Sequence, residues 1–307
     1  MEFDYKKLKV YFDDKLVDFN DASLHVASSA VLYGLSVYTV FAVRSTESGM
    51  AAFRLQDHFQ RLLESAKIIG IDDFAKKWNY LDFENAVFKL VKENDINQDV
   101  YIRATVHVDE LVPGTKTRGL NTVLSMFIYP YKSILPEKGA RLKTSVWRRV
   151  PDYSIPARAK VNGAYINSVL GKQDAIDSGY DDCIFLDVAG HVCELSAANI
   201  FMVKNGVLIT PDNTSDLLEG INRKTILEYA DDLGLEVQQR TVDLTELYIA
   251  DELFACGTSA WLTPISEVDA RKIGGTENPI TEKLSKLHHE TLSGSSKFSQ
   301  KLLTKIV

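Results

Sequence analysis

The sequence predicts a mixed α/β (α+β) architecture in two domains, and three observations carry that expectation. The chain has 307 residues, 45% of them apolar, which is more than one core usually supports. β-branched and aromatic runs alternate with stretches whose apolar residues recur at i, i+3, i+4. A segment holding Pro130, Pro136 and Gly139 interrupts this order near the middle. We therefore expect a first domain over 1–129, an interdomain loop over 130–139 and a second domain over 140–307.

Taken in order, Leu8–Phe12 and Val37–Val43 read as strands. Phe59, Leu62, Leu63, Ala66 and Ile69 fall at helical spacing, so a helix is expected over Asp57–Ile69, stopped by Gly70, and Asp82–Asn94 repeats the pattern. Val100–Val108 and Thr122–Tyr129 are further strands. After the loop come a strand over Leu142–Val150, an irregular Pro151–Gly163 stretch and a helix over Ala164–Asp177. Short strands follow at Cys183–Val188, Asn199–Val203 and Val207–Thr210, with turns at Ala189-Gly190 and Asn205-Gly206. A helix over Arg223–Gly234 with Asn222 as its N-cap, strands over Leu235–Thr241 and Glu252–Cys256, and a helix over Ile280–Leu292 complete the pattern. The Ser/Lys-rich tail from Ser293 is expected to fray.

Composition excludes several functions. Lys+Arg total 35 against 42 Asp+Glu, a net charge of −7, without the basic footprint of a general nucleic-acid binder. Three cysteines with no C-x-x-C argue against a disulfide framework or zinc site and for a reducing cytoplasm. Met1–Leu8 mixes acids and lysines, unlike a signal peptide. The uncharged run Val26–Val43 contains Ser28, Ser29, Gly34, Ser36 and Thr39, too polar for a membrane span, and reads as a buried turn entering a buried strand. There is no G-x-G-x-x-G, P-loop, G-x-S-x-G or H-E-x-x-H motif. The six histidines are scattered, so no metal site is expected.

Five short runs carry the chemistry. Lys160 lies among small and apolar residues in A-K-V-N-G-A-Y, entering a helix; a desolvated amine there is a nucleophile toward carbonyls, although a solvated loop lysine reads the same way locally. Glu194 sits just before a strand in C-E-L-S-A-A-N-I-F, where a buried carboxylate needs a partner and a turn glutamate facing water is the alternative. Leu218-Glu219-Gly220-Ile221-Asn222-Arg223 places a glycine turn at a helix start, which suits an anion or simple capping. Gly257-Thr258-Ser259-Ala260 offers a hydroxyl and backbone amides. Arg54, in F-R-L-Q-D-H, stands immediately before a helix.

With F-R-L-x-x-H-x-x-R-L, A-K-V-N-G-x-Y, E-L-S-A-A-N-I-F, L-x-G-I-N-R and G-T-S-A in this order, the sequence resembles the fold-type IV (class IV) pyridoxal-phosphate aminotransferases, the branched-chain amino-acid aminotransferases above all, from about Asp18 to Ser266. The resemblance implies a smaller N-terminal α/β domain, a larger C-terminal pseudo-barrel domain, pyridoxal 5'-phosphate (PLP) between them and a homodimer or higher homo-oligomer. It implies that Lys160 links covalently to the cofactor, that Glu194 pairs with the pyridine nitrogen and that Tyr165 donates to the phenolic oxygen. Arg54, the amides of Ile221 and Asn222, and Thr258 would hold the phosphate; Leu218 would pack on the ring and Asn199 would support the site. Tyr33, Tyr38, Tyr101, Arg103 and Tyr131 match substrate-pocket positions, Arg103 serving the distal carboxylate of glutamate, and the Thr258-Ser259-Ala260 turn would meet the α-carboxylate.

The implied reaction moves the amino group of L-leucine, L-isoleucine or L-valine to 2-oxoglutarate in a ping-pong cycle. One departure stands out. The E-G-I-R-like run of the branched-chain enzymes is replaced by Thr39-Val40-Phe41-Ala42, with Arg44 two residues on along the same strand face, and Tyr131 stands where a tryptophan is common. The alternatives are a D-amino-acid or (R)-amine transaminase, a 4-amino-4-deoxychorismate lyase of the same fold, or a cofactor-binding protein without turnover, against which the intact Lys160 and Glu194 argue.

Overall fold

The computed structural model describes residues 4–111, 114–275 and 277–306; the extreme ends of the two expected domains, and with them the first residues of the segment read as no signal peptide, lie outside this range. The chain forms two compact units, Met1–Tyr131 with Ala159–Gly163 and Glu290–Val307, and Lys132–Arg158 with Ala164–His289. Segments 159–163 and 290–307, which the sequence placed with the second domain, therefore belong to the first unit.

In the first unit the strands β1 (Lys9–Phe12), β2 (Lys15–Asp18), β3 (Ser36–Thr46), β4 (Gly49–Phe53), β5 (Val100–Val108) and β6 (Thr122–Pro130) pair antiparallel in the order β4-β3-β5-β6-β1-β2. Helices α1 (Ser29–Tyr33), α2 (Leu55–Ile68), α3 (Phe74–Lys77) and α4 (Tyr80–Glu93) accompany them. β3 is rich in β-branched and aromatic residues, which suit a pleated surface. Its odd-numbered residues include Phe41, whose ring lies 6.3 Å from Phe83 on α4, while Phe59 on α2 lies 5.0 Å from Phe83. The helices thus cover one face. The other carries Tyr38, Val40, Ala42 and Arg44, because side chains alternate along a strand. The register sets Val40 opposite Arg103 and Ala42 opposite Tyr101, so these groups share that face.

The second unit contains β7 (Ala140–Thr144), α5 (Tyr165–Asp177), β8 (Asp182–Leu186), β9 (Val192–Leu195), β10 (Asn199–Lys204), β11 (Val207–Thr210), α6 (Ile221–Asp232), β12 (Val237–Gln239), α7 (Leu244–Leu247), β13 (Glu252–Gly257), β14 (Trp261–Val268), β15 (Arg271–Lys272) and most of α8 (Pro279–Ser293). Its nine-stranded sheet runs β12-β11-β10-β13-β14-β7-β8-β9, with β15 on β14, and is mixed: β14–β7, β7–β8 and β11–β12 are parallel. Leu195 N–H donates to Ala198 C=O at 2.8 Å where β9 turns toward β10. The Asn205-Gly206 turn joins β10 to β11 with both residues at positive φ, 52° and 80°, the conformation a two-residue hairpin favours.

Several expectations are corrected. The strand expected over Leu142–Val150 ends at Thr144, because the Ser145 hydroxyl accepts from Trp147 N–H at 3.0 Å and turns the chain out of the ladder. Glu194 lies inside a strand, not before one. The N-cap of α6 is Gly220, so Asn222 sits in the first turn. The 26–33 stretch is not wholly buried: Val26 is 75% exposed, and Val31, Leu32 and Tyr33 are exposed as well. The tail does not fray. It forms α9 (Ser299–Leu302) and β16 (Leu303–Lys305), which pairs antiparallel with β4 as the seventh strand of the first sheet, and Leu302 and Ile306 are buried. Apolar burial decided this against the polar composition.

If the tail is integral, Leu302→Ala should cost about 2–5 kcal/mol by chemical denaturation, whereas the exposed Lys301→Ala should cost less than about 0.5 kcal/mol. Equal, negligible costs for the two would contradict the packing described.

Candidate active site

Lys160 lies in the 159–163 segment, which is fastened to the first unit along its length. The Lys160 carbonyl accepts from Tyr38 N–H at 3.0 Å, and its own N–H donates to the buried Ser65 hydroxyl at 3.1 Å. Val161 bridges Val37, Asn162 N–H donates to Ser36 C=O at 2.9 Å and Gly163 N–H to Gly34 C=O at 3.2 Å. The last approach requires glycine: Gly34 has φ +63°, and a Cβ there would lie 2.8 Å from the Gly163 Cα. The half-buried Lys160 side chain places Nζ 4.9 Å from the centroid of the buried Tyr38 ring, on which the Arg103 guanidinium lies at 3.5 Å.

Helix α2 turns a polar stripe toward this region, Arg54, His58, Arg61 and Ser65 at helical spacing. Arg54 is buried at φ +50° immediately before the helix, a costly conformation for a non-glycine residue. Its N–H donates to Leu302 C=O at 2.7 Å and its Nε to Asp57 at 2.6 Å. Arg61 donates to the Thr39 hydroxyl at 3.2 Å, and the same hydroxyl shares a hydrogen bond with His58 Nδ1, 2.6 Å away. Burial first, then the charges of Arg61, Arg54 and Lys160, hold the His58 pKa well below the usual imidazole value.

Farther along the same sheet face, Tyr101 is fully buried with its ring 4.7 Å from that of Tyr131. Arg44 lies 4.4 Å over the Tyr131 ring with Nε 3.2 Å from the Asp99 carboxylate. Arg44 is thus engaged at the edge of the face, and Ala42 is what stands opposite Tyr101. Tyr33 ends α1 and is 45% exposed.

In the second unit Glu194 is 6% exposed. Arg149 Nη2 lies 2.9 Å from one carboxylate oxygen; Asn199 Nδ2 and Leu218 N–H each donate to the other at 3.2 Å. A carboxylate so buried stays ionised only with such donors. Asn199 Nδ2 also donates to Leu218 C=O at 2.9 Å, and a Cβ at Gly220 would collide with the Asn199 Oδ1, so the turn into α6 needs glycine. Ile221 and Asn222 open α6, where first-turn amides have no acceptor within the helix. Thr258 and Ser259 are half-buried and Ala260 buried in the turn after β13, and Trp261 follows at φ +53°. Tyr165 opens α5, half-buried, as is Leu218.

The structure thus joins Lys160, Tyr38 and Arg103 in one unit, with Tyr101 and Tyr131 paired on the same face, and Glu194, Asn199, Leu218 and the 220–222 turn in the other. Sequence reasoning missed Arg149, whose only signal was an arginine pair, and Ser65, Thr39 and Asn162. His58 and Arg61 were visible as polar residues on an otherwise apolar helix face.

These groups match what PLP requires. An aldehyde needs an amine, the pyridine nitrogen needs a fixed carboxylate, and a dianionic phosphate needs a guanidinium and helix-start amides. Lys160, the desolvated Glu194, and Arg54 with the α6 start are of those types. Among the described residues no group of three or more His, Cys, Asp or Glu could hold a metal ion, and no helix is long and apolar enough to cross a membrane.

Comparison with known proteins agrees. The family described as "Amino-transferase class IV" matches residues 36–268. A probable branched-chain-amino-acid aminotransferase of Synechocystis is 38% identical over 89% of this chain and 89% of its own. The structure of a branched-chain aminotransferase from the archaeon Thermoproteus uzoniensis with norvaline superposes with TM-score 0.94 at 35% identity, covering 98% of this chain and 99% of that one. That of the T.th. branched-chain amino acid aminotransferase complexed with N-(5'-phosphopyridoxyl)-L-glutamate gives TM-score 0.91 at 32% identity over 99% and 100%.

His107, hydrogen-bonded to Ser125 at 2.8 Å on the Arg103 strand, is pulled down to about 4 by burial and the Arg103 charge. The unfolded chain takes up this proton near the ordinary histidine value, so the stability contribution is complete above that value. It declines by about 1.4 kcal/mol per pH unit as pH falls toward 4. Denaturation midpoints of His107→Gln should therefore fall less steeply over that window than those of the wild type; parallel declines would contradict a buried neutral imidazole.

Proposed function

Since the chain belongs to the class IV aminotransferases, we propose that it is a branched-chain-amino-acid transaminase that uses pyridoxal 5'-phosphate and passes the amino group of L-leucine, L-isoleucine or L-valine to 2-oxoglutarate in a ping-pong cycle. The observation that carries this reading is the nearly unexposed Glu194 carboxylate, held by Arg149, Asn199 and the Leu218 amide. A carboxylate kept ionised out of water is what a protonated pyridine nitrogen demands. The cofactor, when bound, supplies an electron sink for the bond to the substrate Cα.

The protein supplies the rest. Lys160 would hold the cofactor aldehyde through its amine and would move the proton at the substrate Cα. Glu194 keeps the ring nitrogen protonated, with Asn199 and Arg149 holding its oxygens. Tyr165 donates to the phenolic oxygen, and Leu218 packs on the ring. Arg54, the amides of Ile221 and Asn222, and Thr258 bind the phosphate. Tyr33, Tyr38, Tyr101 and Tyr131 form the walls for an aliphatic side chain, Arg103 receives the distal carboxylate of glutamate or 2-oxoglutarate, and the amides of Ser259 and Ala260 meet the α-carboxylate. The norvaline and phosphopyridoxyl-glutamate complexes of the relatives support an aliphatic donor and a dicarboxylate partner.

We further place the enzyme in the cytoplasm as a homodimer or higher homo-oligomer. Its three cysteines are buried thiols, and α5 exposes Ile166, Val169 and Leu170, with Val146 and Trp147 exposed ahead of it, apolar surface of the kind a second copy covers.

The test follows the visible absorbance of the bound cofactor on adding one donor at a time. L-leucine should bleach it faster than D-alanine or (R)-1-phenylethylamine, and Lys160→Ala should lose steady-state turnover. Because Ala42 stands opposite Tyr101, a faster response to the carboxylate-free amine would instead assign an (R)-amine transaminase, and a Lys160→Ala protein at wild-type rate would overturn the reading.

A further inference from the structure

Arg103 is held from two sides. Its guanidinium lies 3.5 Å from the Tyr38 ring centroid, and its Nη2 donates to Asn162 Oδ1 at 2.8 Å. Asn162 is itself fixed: its amide donates to the Ser36 hydroxyl at 2.6 Å and its N–H to the Ser36 carbonyl at 2.9 Å. It stands two residues beyond Lys160, whose carbonyl accepts from Tyr38 N–H and whose Nζ is 4.9 Å from the Tyr38 ring. Arg103, Tyr38, Lys160 and Asn162 therefore close a ring of contacts within the first unit.

A transaminase that takes both an aliphatic and a dicarboxylate substrate needs a cation that is tolerable beside apolar atoms yet available to a carboxylate. A guanidinium has five N–H donors and cannot lose its proton. A neutral amide oxygen satisfies one donor without cancelling the charge, and an aromatic face covers the plane. We propose that Asn162 is a specificity-determining residue: it keeps Arg103 docked and satisfied while an aliphatic substrate is handled, and leaves its charge unspent for the second carboxylate of the amino acceptor. The incoming carboxylate exchanges a contact with a neutral amide oxygen for a pair of opposite charges that the planar guanidinium can grip with two parallel N–H donors. This rests on the functional reading of Arg103 above and extends it by naming the residue that sets its availability.

An isosteric charge at 162 would reverse the arrangement. In Asn162→Asp the new carboxylate would pair with Arg103 in advance, while the Ser36 hydroxyl could donate to it, preserving the fold. The KM for 2-oxoglutarate in the PLP-loaded enzyme should rise about tenfold or more, equivalent to about 1.4 kcal/mol. The rate and apparent affinity of the L-leucine half-reaction should stay within about twofold of wild type, since that substrate does not use the Arg103 charge. Asn162→Ser, which removes the tether without adding charge, should raise the 2-oxoglutarate KM less than Asn162→Asp does. An Asp variant with unchanged KM for 2-oxoglutarate, or either variant slowing both half-reactions equally, would overturn the proposal. A wild-type enzyme unable to transfer from L-leucine to 2-oxoglutarate would refute the functional reading itself, before any variant is made.

Discussion

The carboxylate of Glu194 is the constraint around which the second unit is organised. An ionised group with 6% exposure is unstable alone, because desolvation costs more than any single contact returns. It is matched here by a guanidinium and two N–H donors from three chain segments: Arg149 beyond β7, Asn199 at the start of β10 and the backbone at Leu218. Other local features follow. The tight 196–198 turn returns the chain so that Asn199 faces the glutamate, and Gly220 is a glycine because Asn199 occupies the space a Cβ would take. The same asparagine links the carboxylate to the segment that opens α6, and so the proposed ring-nitrogen partner to the proposed phosphate site.

The first unit solves the opposite problem, an excess of positive charge. Lys160, Arg54, Arg61 and Arg103 gather on and around β3 and α2. Arg54 is paired with Asp57, while Arg103 is covered by Tyr38 and met by Asn162. His58, buried among them, has its pKa held down by burial and the neighbouring cations, so the cluster gains a hydrogen-bond partner for Thr39 without another charge. The backbone of the Lys160 segment is held by β3 on one side and α2 on the other, which fixes the root of the lysine. The chain's last residues contribute as well, since Leu302 carries the carbonyl that holds Arg54 at its left-handed φ.

Much of this was legible in the sequence where local pattern and tertiary context agree. The long helices at Leu55–Ile68, Tyr80–Glu93, Tyr165–Asp177 and Pro279–Ser293, and the strand Val100–Val108, follow directly from periodicity. Ordered motifs pointed to Lys160, Glu194 and the Gly220 turn. The misses have physical causes. β9 is four residues long and fully buried, so it shows no alternation, and Glu194 was set before a strand instead of within one. The tail is polar in composition, yet Leu302 and Ile306 suffice to dock it. Arg149 and Asn162 act through partners 45 and 59 residues away, a distance over which no local pattern speaks.

In the proposed function the negative charge at position 194, rather than its shape or hydrogen bonding alone, makes the cofactor reactive. Replacing Glu194 with glutamine keeps the volume and most contacts while removing the charge. Transamination of L-leucine by the PLP-loaded E194Q enzyme, measured against wild type at matched cofactor content, is predicted to fall about 100-fold or more, the scale on which loss of a placed electrostatic group is felt. A rate within about twofold of wild type would contradict the account.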